Sequence, residues 1–85
     1  MDARKRRILS AVVDLYIRTG EPVGSKTISQ LPDIHVSAAT VRNDMAVLEE
    51  LGYLEQPHTS AGRVPTFNGY RMYIEEISAE GTLPQ

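Results

Sequence analysis

The chain has 85 residues, a formal net charge of −2 and no cysteine. This length suits one domain, and the lack of cysteine excludes disulfides and thiolate metal sites and fits a reducing cytoplasm. No apolar run approaches the roughly 20 residues that cross a bilayer. The basic start of the chain lacks the apolar stretch and cleavage site of a secretory signal. We therefore expect a small cytoplasmic domain without a membrane segment.

The distribution of charge is more informative than its sum. A net charge of −2 weakly opposes nucleic-acid binding, because domains that bind nucleic acids are usually basic. However, no acid lies between Glu55 and Glu75, a stretch that contains His58, Arg63 and Arg71. Such a pattern allows one positive face on a small protein, although chance clustering would produce the same pattern.

The first predicted helix runs from Asp2 to Thr19 and ends at Gly20. Apolar residues recur in it at helical spacing and form a wide stripe: Ile8, Leu9, Val12, Val13, Leu15 and Tyr16. The four cations at residues 4–7 oppose the helix dipole, which favours anions at this end. We interpret them as a solvated, partly disordered end, with contact to a DNA backbone as the alternative.

A helix-turn-helix is predicted between residues 25 and 51. Ser25 is the expected N-cap of a short helix from Lys26 to Leu31, which Pro32 ends. After a tight turn, Ser37 caps a longer helix from Ala38 to Leu51. This longer helix has the clearest amphipathic pattern in the chain, with inward positions at Val41, Met45 and Leu48.

A hairpin and a last helix follow. Two short strands, at residues 53–56 and 63–65, flank a polar loop, and Pro22-Val23 is a candidate third strand. Thr66 is the expected N-cap of a helix that Gly69 weakens slightly. This order predicts a mainly α fold with a small β-hairpin: a winged helix-turn-helix with a three-helix core, a two-stranded wing and a C-terminal helix.

The outward stripe of the predicted 38–51 helix has the chemistry of a base-reading surface. A helical wheel places Ala39, Arg42, Asn43, Ala46 and Glu50 on this stripe. In the major groove, arginine can bind guanine and asparagine can bind adenine through two hydrogen bonds each. The short alanines would let the helix approach the groove floor. The alternative is an ordinary solvated helix face.

Contacts with phosphates are expected from residues near two helix starts. Ser37 and Thr40, together with the free amides of the first turn, suit a phosphate oxygen. Ser25 and Lys26 lie at the start of the short helix and are further candidates.

The predicted wing is the third part of the candidate site. His58, Thr59 and Ser60 can donate hydrogen bonds to phosphates, and Arg63 is a candidate to enter a narrow minor groove. A polar loop that only connects two strands is the alternative.

Other chemistry has little support in the sequence. His35 and His58 are far apart and have no cysteine nearby, so no metal site is expected. The serines lack the base and the orienting group that a nucleophile needs. No phosphate-binding or dinucleotide motif is present, and we expect neither a cofactor nor an enzyme.

Three segments of the chain closely resemble the HrcA family of heat-inducible transcription repressors: Gly20–Thr27, Ser37–Met45 and Leu48–Thr66. The resemblance implies a bacterial repressor that binds as a homodimer to an inverted-repeat operator, the CIRCE element, upstream of chaperone genes. It also implies derepression on heating and a role for the GroE chaperonin in keeping the repressor active. By position, residues 37–43 look like the start of the recognition helix and residues 58–63 like the wing.

The chain departs from the family pattern in three places. Ala38 stands where proline is expected, and Phe67-Asn68 replace a charged pair, which puts in doubt any contact at the start of the last helix. The family also carries further domains, so we expect residues 1–77 to be the DNA-binding domain and residues 78–85 a linker or frayed tail toward absent C-terminal domains. A protein-interaction module and the head of a different regulator are the alternatives.

Overall fold

The computed structural model describes residues 2–57 and 62–79. The elements are, in order, α1 (Ala3–Thr19), α2 (Ser25–Ser29), α3 (Ala38–Glu50), β1 (Leu54–Glu55), β2 (Val64–Pro65) and α4 (Phe67–Ala79). This confirms the predicted winged helix-turn-helix. Because α4 continues to Ala79 and residues 80–85 lie outside the described part, the division at residue 77 stays a prediction. No helix in the described part is both long and apolar enough to cross a membrane.

The two ends of α1 follow from local chemistry. The Asp2 side chain caps the helix by accepting a hydrogen bond from the Lys5 amide. At the other end Gly20 adopts a left-handed conformation with φ of 71°, and its N–H donates to the Tyr16 carbonyl at 2.8 Å. Glycine adopts this conformation without the steric cost that a Cβ brings, so the predicted stop at Gly20 is confirmed.

The short helix differs from the prediction at both ends. Ser25 is its first residue rather than its cap, because Gly24 takes the extended N-cap conformation and its carbonyl accepts from Ile28. The regular helix ends at Ser29 and not at Leu31. The Leu31 N–H donates to the Ile28 carbonyl, an i→i+3 bond that tightens the last turn before the chain reaches the next helix.

The core lies between α1, α2 and α3, closed by the first strand. Its apolar side chains are Ile8, Leu9, Ala11, Val12, Val13, Val23, Ile28, Ile34, Val41, Met45, Leu48 and Leu54. The periodic positions predicted to face inward on α1 and α3 therefore supply most of it. This packing fixes which side of α3 remains outside.

The strands β1 and β2 pair antiparallel, with Leu54 opposite Pro65 and Glu55 opposite Val64. The candidate third strand is reduced to one bridge: Val23 and Arg63 exchange two backbone hydrogen bonds of 2.9 and 3.0 Å. This bridge ties the base of the wing to the segment that precedes α2.

The start of α4 is joined to the turn after α3. The Thr66 hydroxyl donates to the Gly52 carbonyl at 2.6 Å and accepts from the Gly69 amide at 3.1 Å, which confirms Thr66 as an N-cap. Gly69 has a second role that the sequence analysis missed. A Cβ at this position would lie 2.2 Å from the Tyr53 carbonyl oxygen, so only glycine lets α4 pack this closely.

The basic start of α1 is ordered, and its interpretation as a partly disordered end is wrong. Asp44, on α3, has a side chain only 6% exposed, and the Arg4 Nε atom donates to it at 2.6 Å. Lys5 adds a second cation at 3.5 Å from the same carboxylate. A buried carboxylate needs ionic partners. Arg4 and Lys5 therefore stand at the start of α1 because they neutralise Asp44. The bond to Asp44 also raises the pKa of Arg4.

A second ion pair links α1 to the turn between α2 and α3. The Arg7 Nε atom donates to the Asp33 carboxylate. This hydrogen bond lowers the pKa of Asp33 below its ordinary value of 3.8. Cations from α1 thus hold both the turn, at Asp33, and α3 itself, at Asp44.

Candidate nucleic-acid interface

The outward face of α3 carries the side chains that the helical wheel predicted. Ala39, Arg42, Asn43, Ala46 and Glu50 are all exposed. They are exposed because the opposite face of α3 is buried against α1 and α2. This part of the candidate site thus presents a guanidinium and a carboxamide from neighbouring positions to solvent.

Ser37 and Thr40 lie together at the first turn of α3. The Ser37 hydroxyl accepts from the Thr40 amide at 3.3 Å and donates to the Thr40 hydroxyl at 3.2 Å. Ser37 therefore caps the helix as predicted, and its own hydrogen is occupied. The Thr40 hydroxyl keeps its hydrogen for an acceptor, and the exposed first turn keeps free amides that suit an anion.

One groove joins three of the predicted residues from three elements. Ser25 at the start of α2, Arg42 on α3 and Arg63 at the base of the wing all line it, together with Val23, Gly24, Met45, Ala46 and Gly62. Lys26 is exposed at the next position of α2. The groove combines a hydroxyl, two guanidinium groups and small residues such as Gly24 and Ala46.

Arg63 is not a free side chain. Its Nε atom donates to Glu49 Oε1 at 2.7 Å and its Nη1 atom to the Gly62 carbonyl at 3.1 Å. The guanidinium is thereby held against α3, and its entry into a minor groove would require this ion pair to break. Glu49 is not among the site residues predicted from the sequence, although its position three residues after Ala46 puts it next to the outward stripe.

Gly62 fixes the base of the wing. Its φ is 152°, and a Cβ at this position would lie 2.6 Å from the Val23 carbonyl oxygen. Any side chain here would push apart the bridge between Val23 and Arg63. Gly62 thus maintains the close seam that places Arg63 beside α3.

The unpaired cations are concentrated at the candidate interface. Of the nine lysines and arginines, six form ion pairs: Arg4, Lys5, Arg7, Arg18, Arg63 and Arg71. Among residues 2–57 and 62–79, the other three have no acidic partner. Lys26 and Arg42 lie at the candidate interface, and Arg6 lies at the start of α1. Five of the eleven acids pair with cations away from the candidate interface, so a net charge of −2 does not exclude a locally positive face.

The predicted wing-tip residues His58, Thr59 and Ser60 lie outside the described residues and stay predictions. Within the part of the chain that the structure describes, no group of three acidic or histidine side chains could hold a metal ion.

Comparison with known proteins gives a consistent result. The family model for the winged helix-turn-helix transcription repressor HrcA, DNA-binding, matches residues 1–78. The heat-inducible transcription repressor HrcA of Carboxydothermus hydrogenoformans is 57% identical over 83 residues, 98% of this chain and 24% of that protein. Its counterpart from Brevibacillus brevis is 62% identical over 74 residues, 87% of this chain and 22% of that protein.

A crystal structure of a hypothetical protein is also similar. It has a TM-score of 0.89 and 46% sequence identity, and the match covers 94% of this chain and 26% of that one. The chain thus spans about a quarter of the length of its relatives. The match to the family model over residues 1–78 shows that the chain belongs to the family of HrcA winged helix-turn-helix DNA-binding domains.

Proposed function

We propose that the chain is the sequence-specific DNA-binding domain of a bacterial repressor of heat-shock chaperone genes, and that it recognises an inverted-repeat operator of the CIRCE type. The observation that carries this proposal is the exposed pair Arg42 and Asn43 on α3, beside a groove that also contains Arg63. These are the side chains best suited to read guanine and adenine edges.

In this proposal α3 enters the major groove with its N-terminal half. Arg42 and Asn43 read base edges, while Ala39 and Ala46 allow a close approach of the helix backbone. Glu50 lies in the last turn of α3, at the end of the helix where it repels phosphates least. The same geometry explains why the outward stripe begins with small and cationic residues and ends with an acid.

Phosphate contacts would fix the orientation of α3. Ser25 and Lys26 would contact one strand from the start of α2. Thr40, together with the free amides of the turn that Ser37 caps, would do so from the first turn of α3. The wing residues His58, Thr59 and Ser60 would contact phosphates on the other side, with Arg63 beside them at the base of the wing.

The whole repressor would bind as a homodimer, with one recognition helix for each half of the operator. Linking two heads raises their effective concentration, so a single domain is expected to bind more weakly than the dimer. Loss of binding on heating, support by the GroE chaperonin and a cytoplasmic location belong to this proposal through the family.

Replacing Arg42 by alanine tests the proposal. Binding of the chain to an operator duplex and to a scrambled duplex is followed by fluorescence anisotropy at two salt concentrations. Arg42→Ala should weaken operator binding by about 1–3 kcal/mol and reduce the preference for the operator. Arg18→Ala is the control, because it removes the same charge from an exposed site at the end of α1.

The outcomes separate the roles of Arg42. If Arg42→Ala weakens operator and scrambled duplex equally, Arg42 contacts only phosphates and base reading by this residue is wrong. A steep fall of wild-type affinity with salt supports phosphate contacts.

A protein-interaction module is the second candidate function. It is favoured by the exposed apolar side chains of Leu51, Phe67 and Ile74, of which Phe67 is 77% exposed. No binding to the operator at low salt, even after fusion to a dimerising segment, would favour this candidate over DNA recognition.

A further inference from the structure

The contact between Glu49 and Arg63 places an acid at the edge of the candidate DNA interface. Glu49 follows Ala46 by one helical turn, and Ala46 lines the groove together with Arg42 and Arg63. An acid in this place repels the phosphates of bound DNA, so electrostatics alone makes it unfavourable for binding. Its presence beside the groove therefore calls for a role in positioning another group.

Arg63 is held by both its backbone and its side chain. The backbone exchanges two hydrogen bonds with Val23, and Gly62 brings these two segments into close contact. The side chain is 28% exposed and donates through Nε to Glu49 and through Nη1 to the Gly62 carbonyl. These contacts hold the guanidinium of Arg63 in one defined position, whereas an unpaired arginine side chain would rotate freely.

These two contacts leave some of the hydrogen-bond donors of the guanidinium free. Arginine carries five N–H donors, and those not directed at Glu49 or Gly62 remain available to an acceptor in the groove. A phosphate oxygen accepts hydrogen bonds from arginine readily and in a defined geometry. The side chain can therefore hold Glu49 and an anion at the same time.

We propose that Glu49 is a positioning residue for DNA binding, which holds the guanidinium of Arg63 at the groove between the wing base and α3 so that it contacts a DNA phosphate. The inference rests on the proposed function of the domain. It assigns Arg63 to a backbone contact, whereas insertion into a minor groove requires Arg63 to leave Glu49. The two modes predict opposite effects of removing Glu49.

A double-mutant cycle tests this proposal. Glu49→Ala, Arg63→Ala and the double variant are titrated against an operator duplex, and a melting curve shows that each variant is folded. Glu49→Ala should weaken binding about threefold to fivefold in the wild-type background, which is the range of one well-placed ion pair. In the Arg63→Ala background the same change removes an unpaired acid, so it should strengthen binding.

Two further variants complete the test: a more conservative change of Glu49 and a control at the neighbouring acid. Glu49→Gln keeps an acceptor oxygen and loses the charge, so it should weaken binding in the same direction but less. Glu50→Gln is the control: Glu50 is exposed, adjacent in sequence and has no ion-pair partner in the described residues. It should strengthen binding slightly, because it only removes a negative charge.

The outcomes distinguish the inference from the proposed function. If the wild-type chain shows no preference for the operator, the proposed function fails. If it shows that preference but Glu49→Ala and Glu49→Gln both bind as tightly as Glu50→Gln or more tightly, the proposed function stands and the positioning role of Glu49 is overturned. The positioning role would also be overturned if Glu49→Ala changed the affinity for the operator in the same direction in the wild-type and the Arg63→Ala backgrounds.

Discussion

Replacing Gly69 by alanine should destabilise the domain, although alanine is the better helix former. The Cβ of alanine would lie 2.2 Å from the Tyr53 carbonyl oxygen, whereas ordinary contacts begin at 3.4 Å, so α4 or the turn must shift by about 1.2 Å. Such overpacking costs about 1–3 kcal/mol. The gain in helix propensity is at most about 1 kcal/mol. The shift would also stretch the 3.1 Å hydrogen bond from the Thr66 amide to the Tyr53 carbonyl.

We therefore expect a net loss of about 1–2 kcal/mol and a drop in Tm of roughly 5–15 °C for a domain of this size. Thermal and urea unfolding followed by circular dichroism measure both quantities. Asn68→Ala is the matched control, because Asn68 is exposed in the same helical turn and should change stability by less than about 0.5 kcal/mol. A Gly69→Ala variant that melts at or above the wild-type temperature would refute the close-approach argument.

Two other predictions concern the cap of α3 and the turn before it. Ser37→Ala removes the hydroxyl that accepts from the Thr40 amide and should lower the free energy of unfolding by about 0.5–2 kcal/mol, as measured by urea denaturation. Ser37→Asp should restore the wild-type stability, because aspartate also caps helices. Equal stability of all three proteins would contradict the capping role. The bond from Arg7 lowers the pKa of Asp33 in the folded state, so its contribution to stability is present above the ordinary value of 3.8 and disappears as the pH falls through the lower folded pKa. The stability difference between wild type and Asp33→Asn should therefore be constant from pH 5 to 7 and shrink below pH ~4; a difference independent of pH would contradict the ion pair.

Features that depend on neighbouring residues were predictable from the sequence. Gly20 ends α1, Ser37 caps α3 and Thr66 caps α4, because each acts on backbone groups within a few residues. The outward stripe of α3 was predictable as well, because helical periodicity alone decides which side chains oppose the core. The failure at Ser25 is small and local: Gly24 can adopt the N-cap conformation equally well, and the sequence did not decide between them.

Features that depend on contacts distant in sequence were not predictable in the same way. Asp44 is paired with Arg4, forty positions earlier, and no local rule connects the two. A signal was nevertheless present: Asp44 lies three residues after Val41 and four before Leu48, on the inward face of α3. An acid on that face needs a cation, and the unexplained cations at the start of α1 were available to provide it.

The close approaches at glycines were also hidden in the sequence. Helix propensity identifies Gly69 as a weak point, whereas the contact with Tyr53 makes it a requirement. The pairing of Glu49 with Arg63 is hidden for a similar reason, because it depends on how the hairpin folds back over α3. Tertiary contacts thus reverse the expectation that local propensity gives at such positions.

The seam at Gly62 has a consequence for how such domains diversify. The close packing of Gly62 against Val23 anchors the hairpin on one side of the seam, and residues 58–61 precede it in the chain. The anchoring contacts themselves, between Val23 and Arg63 and between Gly62 and Val23, are made by residues outside that tetrapeptide. A graft of this tetrapeptide between relatives, with the glycine and the arginine retained, would keep this anchor, and operator preference would stay with the recipient because α3 carries the base-reading side chains.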